Sequence, residues 1–229
     1  MNLENKTIVI TGISGGIGKI LYKKLVDQNV NLILIDQAGT LMGLNGFCVD
    51  SDFSDMKDIF LAGSAISKIF KKVDVLINLA GIGIYKSIDK LSIKEFEDSI
   101  NINLIAPFVL TKFLYPALLK SNNGLVINVG SGMGIIPQAE RSAYCTSKFG
   151  LRGLSLSLNK ELKGKIDISL LTLGSVMTGF GTGGIKKRKE LQKEGKNYLS
   201  PEEVVNKILS IIESKNRKAE YIMYPKGYK

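Results

Sequence analysis

Apolar residues fall in short, nearly continuous runs at 7–11, 31–35, 46–49, 73–78, 125–129, 166–173 and 221–224. Runs of this length without polar alternation read as strands covered on both faces. Between them, 16–29, 55–70, 92–120, 142–163 and 201–214 space their apolar residues three and four apart, which predicts amphipathic helices. Strands alternating with helices call for right-handed crossovers and a parallel sheet with helices on both faces. The pattern predicts a single three-layer α/β domain over residues 1–229.

Two stretches break the rhythm. Residues 37–45 are too few for a full crossover helix, so one turn of helix or a plain loop is expected there. Residues 178–199 hold Gly179, Gly181, Gly183, Gly184 and Gly195, with the polar run KKRKELQKEGK. A charged, glycine-hinged insert of that length predicts a mobile surface loop able to act as a lid.

Charge and composition narrow the function. The net charge is +10, but only four of the 31 basic residues are arginine, and the lysines are scattered. No nucleic-acid partner is expected, since base reading and phosphate forking favour arginine. No apolar run reaches the ~18–20 residues of a membrane span, so no membrane partner is expected. The N-terminal MNLENKTIVITG resembles neither a signal nor a transit peptide. Two cysteines, Cys48 and Cys145, build no disulfide framework, and a cytoplasmic location is expected. With no histidine, a metal site is not expected.

The first apolar run ends in TGISGGIG, Thr11 to Gly18, and opens a helix. Gly12 permits a tight turn, and Gly16 and Gly18 let backbone and helix approach a pyrophosphate. Ser14, Gly15 and Ile17 complete that turn. Glycine-rich turns also arise for packing alone, so position matters: strand before, helix after. Asp36 ends the second strand, where a carboxylate accepts from ribose hydroxyls and repels a 2′-phosphate. Asp50, in the same register on the third strand, is placed to meet an adenine edge. Asn78, Ala80 and Gly81 follow the fourth strand, where small residues let a cofactor lie against its end.

Tyr144 and Lys148 share one helical face at i and i+4. An ammonium there favours tyrosinate and is expected to lower the Tyr144 pKa toward working pH. Ser131 follows the fifth strand, where its hydroxyl can meet a substrate oxygen. Asn103 is an amide inside an apolar run and needs partners; Pro107 suggests that it caps a kink or holds a water.

In this order, these motifs resemble the short-chain dehydrogenase/reductase family over nearly the whole chain. The resemblance implies a Rossmann-like, doubly wound parallel sheet of about seven strands and NAD- or NADP-dependent oxidoreduction of an alcohol or carbonyl. It implies Tyr144 as acid/base and Lys148 as the group that binds the nicotinamide ribose and lowers the Tyr144 pKa. Ser131 would polarise the substrate oxygen, and Asn103 would anchor a proton-relay water. Leu79 replaces the family's second Asn. Leu173 replaces the proline before Gly174, while Val176 and Thr178 stand where the family contacts the carboxamide. Asp36, followed by uncharged Gln37, predicts NAD over NADP. A homodimer through 92–120 and 142–163, or a homotetramer, is expected. The 3-oxoacyl-thioester (acyl carrier protein) reductases are an alternative, as is a non-catalytic dinucleotide sensor.

Overall fold

The computed structural model describes residues 3–227. Seven strands form one parallel sheet: β1 Thr7–Thr11, β2 Asn31–Asp36, β3 Phe47–Asp50, β4 Val75–Asn78, β5 Leu125–Ser131, β6 Asp167–Leu173 and β7 Glu220–Met223. Their spatial order is β3-β2-β1-β4-β5-β6-β7. The chain winds outward one way from β1 to β3, then returns to β4 and winds the other way. The reversal between β1 and β4 opens a crevice at the strands' C-terminal ends, where ligands bind in such sheets.

Both faces of the central strands are buried, as continuous apolar runs require. Ile8 and Ile10 of β1 join Leu32, Leu34, Val75 and Ile77 in one core, under α1 (Gly16–Leu25) and the later helix that begins at Pro201. Val9, Ile33, Ile35 and Leu76 join the opposite core, under α2 (Met56–Ile69). Each fully buried Ile or Leu stabilises by roughly 1.5–3 kcal/mol.

Residues 92–120 are not one regular helix. They form α3 (Ile93–Ile100), a π-turn at Asn101–Ile105 and α4 (Ala106–Leu118). The Ala106 N–H donates to the Asn101 carbonyl, five residues back. The break therefore lies ahead of Pro107, which sits in the first turn of α4 where a missing N–H is tolerated. By length and composition alone, Ile93–Leu118 is apolar enough to cross a membrane, contrary to the expectation of no such stretch. Here it covers the sheet, with Leu110, Leu114 and Leu118 in the core.

After β5 comes α5 (Ser142–Glu161). The expected loop at 178–199 is part helix: α6 spans Gly184–Lys193. It buries no residue, so no apolar stripe announced it. It is followed by α7 (Pro201–Glu213), with a capping box between Ser200 and Glu203. No helix separates β2 from β3.

Candidate active site

A cavity of about 790 Å³ lies over the β1/β4 reversal. Its floor at one end is the glycine turn. Gly12 has φ +75°, and a Cβ there would stand 2.6 Å from the Ala80 Cα. A Cβ on Gly18 would collide with the Gly12 carbonyl, and one on Gly16 would stand 2.8 Å from Thr178 Cγ2. Bare backbone at these positions leaves a groove that side chains would fill, at the positive end of α1. Thr11 Oγ1 accepts from the Leu79 and Ala80 N–H groups at 3.1 and 3.0 Å, which locks the β4 turn onto β1. These contacts fit a dinucleotide, whose pyrophosphate the turn Gly12–Gly18 and the helix behind it would hold.

Ser14, Gly15, Gly16, Ile17, Gly18, Asp36, Ala80, Gly81, Gly174, Val176 and Thr178 all line this cavity. The Asp36 carboxylate accepts from the N–H groups of Ser14 and Gln37, each at 2.8 Å. Gly174 also makes room for the segment after β7: a Cβ would stand 2.8 Å from Pro225 Cδ and Tyr224 Cδ1.

Two expected contacts are corrected. Asp50 is exposed and outside the cavity, paired in register with Asp36; Asp52 lines the wall instead, with Ser51 and Phe53. The strand runs on to Asp50, and the chain turns inward only after it. The Ser54 N–H holds the Asp52 carboxyl below its usual range. Asn78 is buried beneath the site, donating to Asn128 Oδ1 at 2.7 Å, and only the next four residues, Leu79 to Ile82, reach the cavity there. Strand alternation turns its side chain into the sheet rather than toward a ligand.

At the other end, Ser131, Tyr144 and Lys148 converge on the same cavity. Ser131 Oγ accepts from the Met133 N–H at 3.2 Å. Tyr144 and Lys148 are each only 5% exposed. Lys148 Nζ donates to the Val129 carbonyl at 3.0 Å and stands 5.8 Å from the Tyr144 ring centre. Burial pushes Tyr144 well above the usual tyrosine range, against the opposing hydrogen bond of Ser131. Burial also pushes Lys148 down to about 8. The expected lowering of Tyr144 by Lys148 is thus reversed in this state, because desolvation favours the neutral form of both groups.

Asn103 is fully buried. Its Oδ1 accepts from the Ile82 N–H and its Nδ2 donates to the Ile82 carbonyl, both at 2.9 Å, and to Ser147 Oγ at 3.0 Å. The amide fastens the chain after β4 to the π-turn. The Asn103 carbonyl would take its helical hydrogen bond from residue 107, but proline has no N–H to give.

Sequence reasoning singled out no side chain of the wall around Tyr144. Tyr85 packs edge-on at 5.6 Å and Phe180 at 5.8 Å, while the Arg141 guanidinium lies 4.0 Å over the Tyr85 ring. Arg188, on α6, donates to the Phe180 carbonyl at 2.7 Å. Arginine's scarcity in this chain was the available signal. Among the described residues, no three His, Cys, Asp or Glu side chains cluster as metal ligands.

A family model described as short chain dehydrogenase matches residues 6–189, and the chain belongs to that family. It is 29% identical over 233 residues to a 3-oxoacyl-(acyl-carrier-protein) reductase FabG of Buchnera aphidicola subsp. Schizaphis graminum, covering 97% of this chain and 94% of that one. It is 30% identical over 191 residues to the reductase of the same name from Escherichia coli, covering 78% and 76%. Among solved structures, it is similar to a 4-hydroxyisoleucine dehydrogenase complexed with NADH, with a TM-score of 0.85, 26% identity and coverage of 97% and 98%. The protein is an oxidoreductase on a Rossmann-like fold that binds a nicotinamide dinucleotide.

Proposed function

We propose that the protein moves a hydride between NAD(H), in preference to NADP(H), and a small alcohol or ketone, with Tyr144 as acid/base. The observation that carries this reading is the convergence of Ser131, Tyr144 and Lys148 on one end of a cavity whose other end is the glycine cradle. A bound nicotinamide dinucleotide supplies or accepts the hydride. In the reducing direction, the Ser131 hydroxyl donates to the substrate's carbonyl oxygen and Tyr144 gives its proton to that oxygen. Lys148, fixed by Val129, holds a positive charge beside the resulting tyrosinate. Asn103, through the carbonyl that Pro107 leaves without its helical donor, would hold the water that passes the next proton to Lys148. At the adenosine end, Asp36 accepts from ribose hydroxyls and Gln37 offers a 2′-phosphate no charge. The 178–199 segment, carrying α6, closes over the substrate.

This chemistry needs neither a membrane nor nucleic acid, and we place it in the cytoplasm. Phe108 on α4 and Phe149 on α5 are 42% and 43% exposed, which supports a homodimer through these helices. The test is a panel of alcohols and ketones, followed by the absorbance of the reduced cofactor. Turnover supports the enzyme reading; NADH binding without turnover on any member points to a dinucleotide sensor.

A second reading, a 3-oxoacyl-thioester reductase, is favoured by the curated relatives and by exposed Lys186, Lys187 and Lys189, which suit an acidic carrier. Rapid turnover of an acetoacetyl thioester with NADPH would select it.

A further inference from the structure

The cavity is polarised from end to end. The two carboxylates that line it, Asp36 and Asp52, both stand at the adenosine end. The Tyr144 end is lined by Arg141 and Arg188 together with lysines. Of the four arginines, Arg152 is bound by Glu220 at 2.9 Å and Arg217 by Asp167 at 2.7 Å. Among the described residues, Arg141 and Arg188 have no carboxylate within ion-pair distance. Both are half-buried, and both are held in place: Arg141 on the Tyr85 ring, Arg188 by the Phe180 carbonyl and over Tyr198 at 5.5 Å. Structural arginines in this fold have acidic partners; the two at the reacting end do not.

We propose that the substrate carries a carboxylate, and that Arg141, assisted by Arg188, binds it while the oxo or hydroxyl group meets Ser131 and Tyr144. The inference rests on the oxidoreductase reading above and narrows it to short oxo or hydroxy acids. A guanidinium offers two parallel N–H donors to a carboxylate, and its stack on Tyr85 fixes their direction. Tyr85 itself touches Tyr144, so the anion site lies one ring away from the reacting atoms. That spacing suits an acid whose carboxylate is a few bonds from its carbonyl. It does not suit a carrier thioester, whose phosphate is separated from the carbonyl by the whole pantetheine arm.

The experiment pairs 2-oxobutanoate, 3-oxobutanoate and 4-oxopentanoate with their methyl esters. Each is titrated calorimetrically into the NADH-saturated protein and then assayed for turnover, with the N-acetylcysteamine thioester of acetoacetate as an uncharged control. At least one acid is expected to bind tenfold or more tightly than its ester. Arg141→Met should collapse that ratio at least fivefold, with Arg141→Lys falling between. Acid and ester binding alike, or neither binding, or preference for the thioester would overturn the inference. So would an unchanged ratio in Arg141→Met; the wild-type ratio stands by itself if that variant does not fold. Failure of NADH to bind would instead overturn the oxidoreductase reading.

Discussion

The Asp36 carboxylate accepts the Ser14 N–H at 2.8 Å, across 22 residues of sequence, and so ties the end of β2 to the glycine turn after β1. One side chain therefore shapes the glycine turn and, in the proposed complex, would face the ribose. A 2′-phosphate beside it would bring about two negative charges within ~4 Å of a third, a repulsion of several kcal/mol at an effective dielectric near 20. We expect catalytic efficiency with NADH to exceed that with NADPH at least tenfold, which needs only about 1.4 kcal/mol. The double variant Asp36→Ala, Gln37→Arg should bind both cofactors less tightly, having lost the Ser14 anchor, and narrow or reverse the ratio. Steady-state kinetics with each cofactor decide this, and a wild type equally efficient with NADPH would refute it.

Tyr144→Phe removes the proposed proton donor and nothing that faces the glycine turn. Turnover should fall by about 10²- to 10⁴-fold, while the dissociation constant for NADH, read by fluorescence, stays within about twofold. Lys148→Ala should damage both. Retention of a tenth of the activity in Tyr144→Phe would remove the residue from the acid/base role.

Lys148 also gives the cofactor-free protein a pH signature. Its pKa is lowered from 10.5 to about 8 on folding, so between those values the unfolded chain binds the extra proton and stability rises with pH. Burial of the ammonium costs about 3 kcal/mol below pH 8, and this is relieved on approaching pH 10. Above pH 10 the raised Tyr144 pKa acts in the opposite sense, because the unfolded tyrosine ionises first. Urea unfolding of wild type and Lys148→Met at pH 7, 8, 9 and 10 should show wild type gaining on the variant with each step. A constant difference would show that Lys148 is not buried as a charge.

Asn78→Leu tests the reassignment of that residue from the cofactor to the sheet. Loss of its bond to Asn128 leaves a buried acceptor unpaired, at about 1–3 kcal/mol. Thermal melting should register this loss, while NADH affinity, measured on the folded variant, should not move. A large loss of affinity without destabilisation would return Asn78 to the cofactor site.

The strands were legible because a sheet buried on both faces leaves continuous apolar runs, and the glycine turn because few other residues tolerate its geometry. Tyr144 and Lys148 were legible from helical spacing. Asp52 was not: β3 ends at Asp50 as expected, but the carboxylate that reaches the cavity comes two residues later, on a turn whose course no pattern along the chain reports. The helix α6 was hidden because its two apolar residues, Ile185 and Leu191, form no stripe and because it starts after Gly183, which sits at φ +84°. Arg141 acts through a stack on Tyr85, a residue 56 positions earlier, and no local pattern joins the two. The direction of the Tyr144 shift depended on how completely the pair is enclosed, which spacing along a helix does not report.

The π-turn at Asn101–Ile105 makes chain length, rather than residue type, the guarded property of that segment. It carries one residue more than a regular helix would need. Deleting one of Ile102, Leu104 or Ile105 would let the helix regularise, turning α3 by about 100° about its axis relative to α4. Asn103 would then swing away from Ile82, and the chain after β4, which carries Tyr85, would lose its tie to these helices. Homologues of this chain should exchange one apolar residue for another here freely, yet hold the count between Ser99 and Pro107 fixed, while 37–45 varies in length.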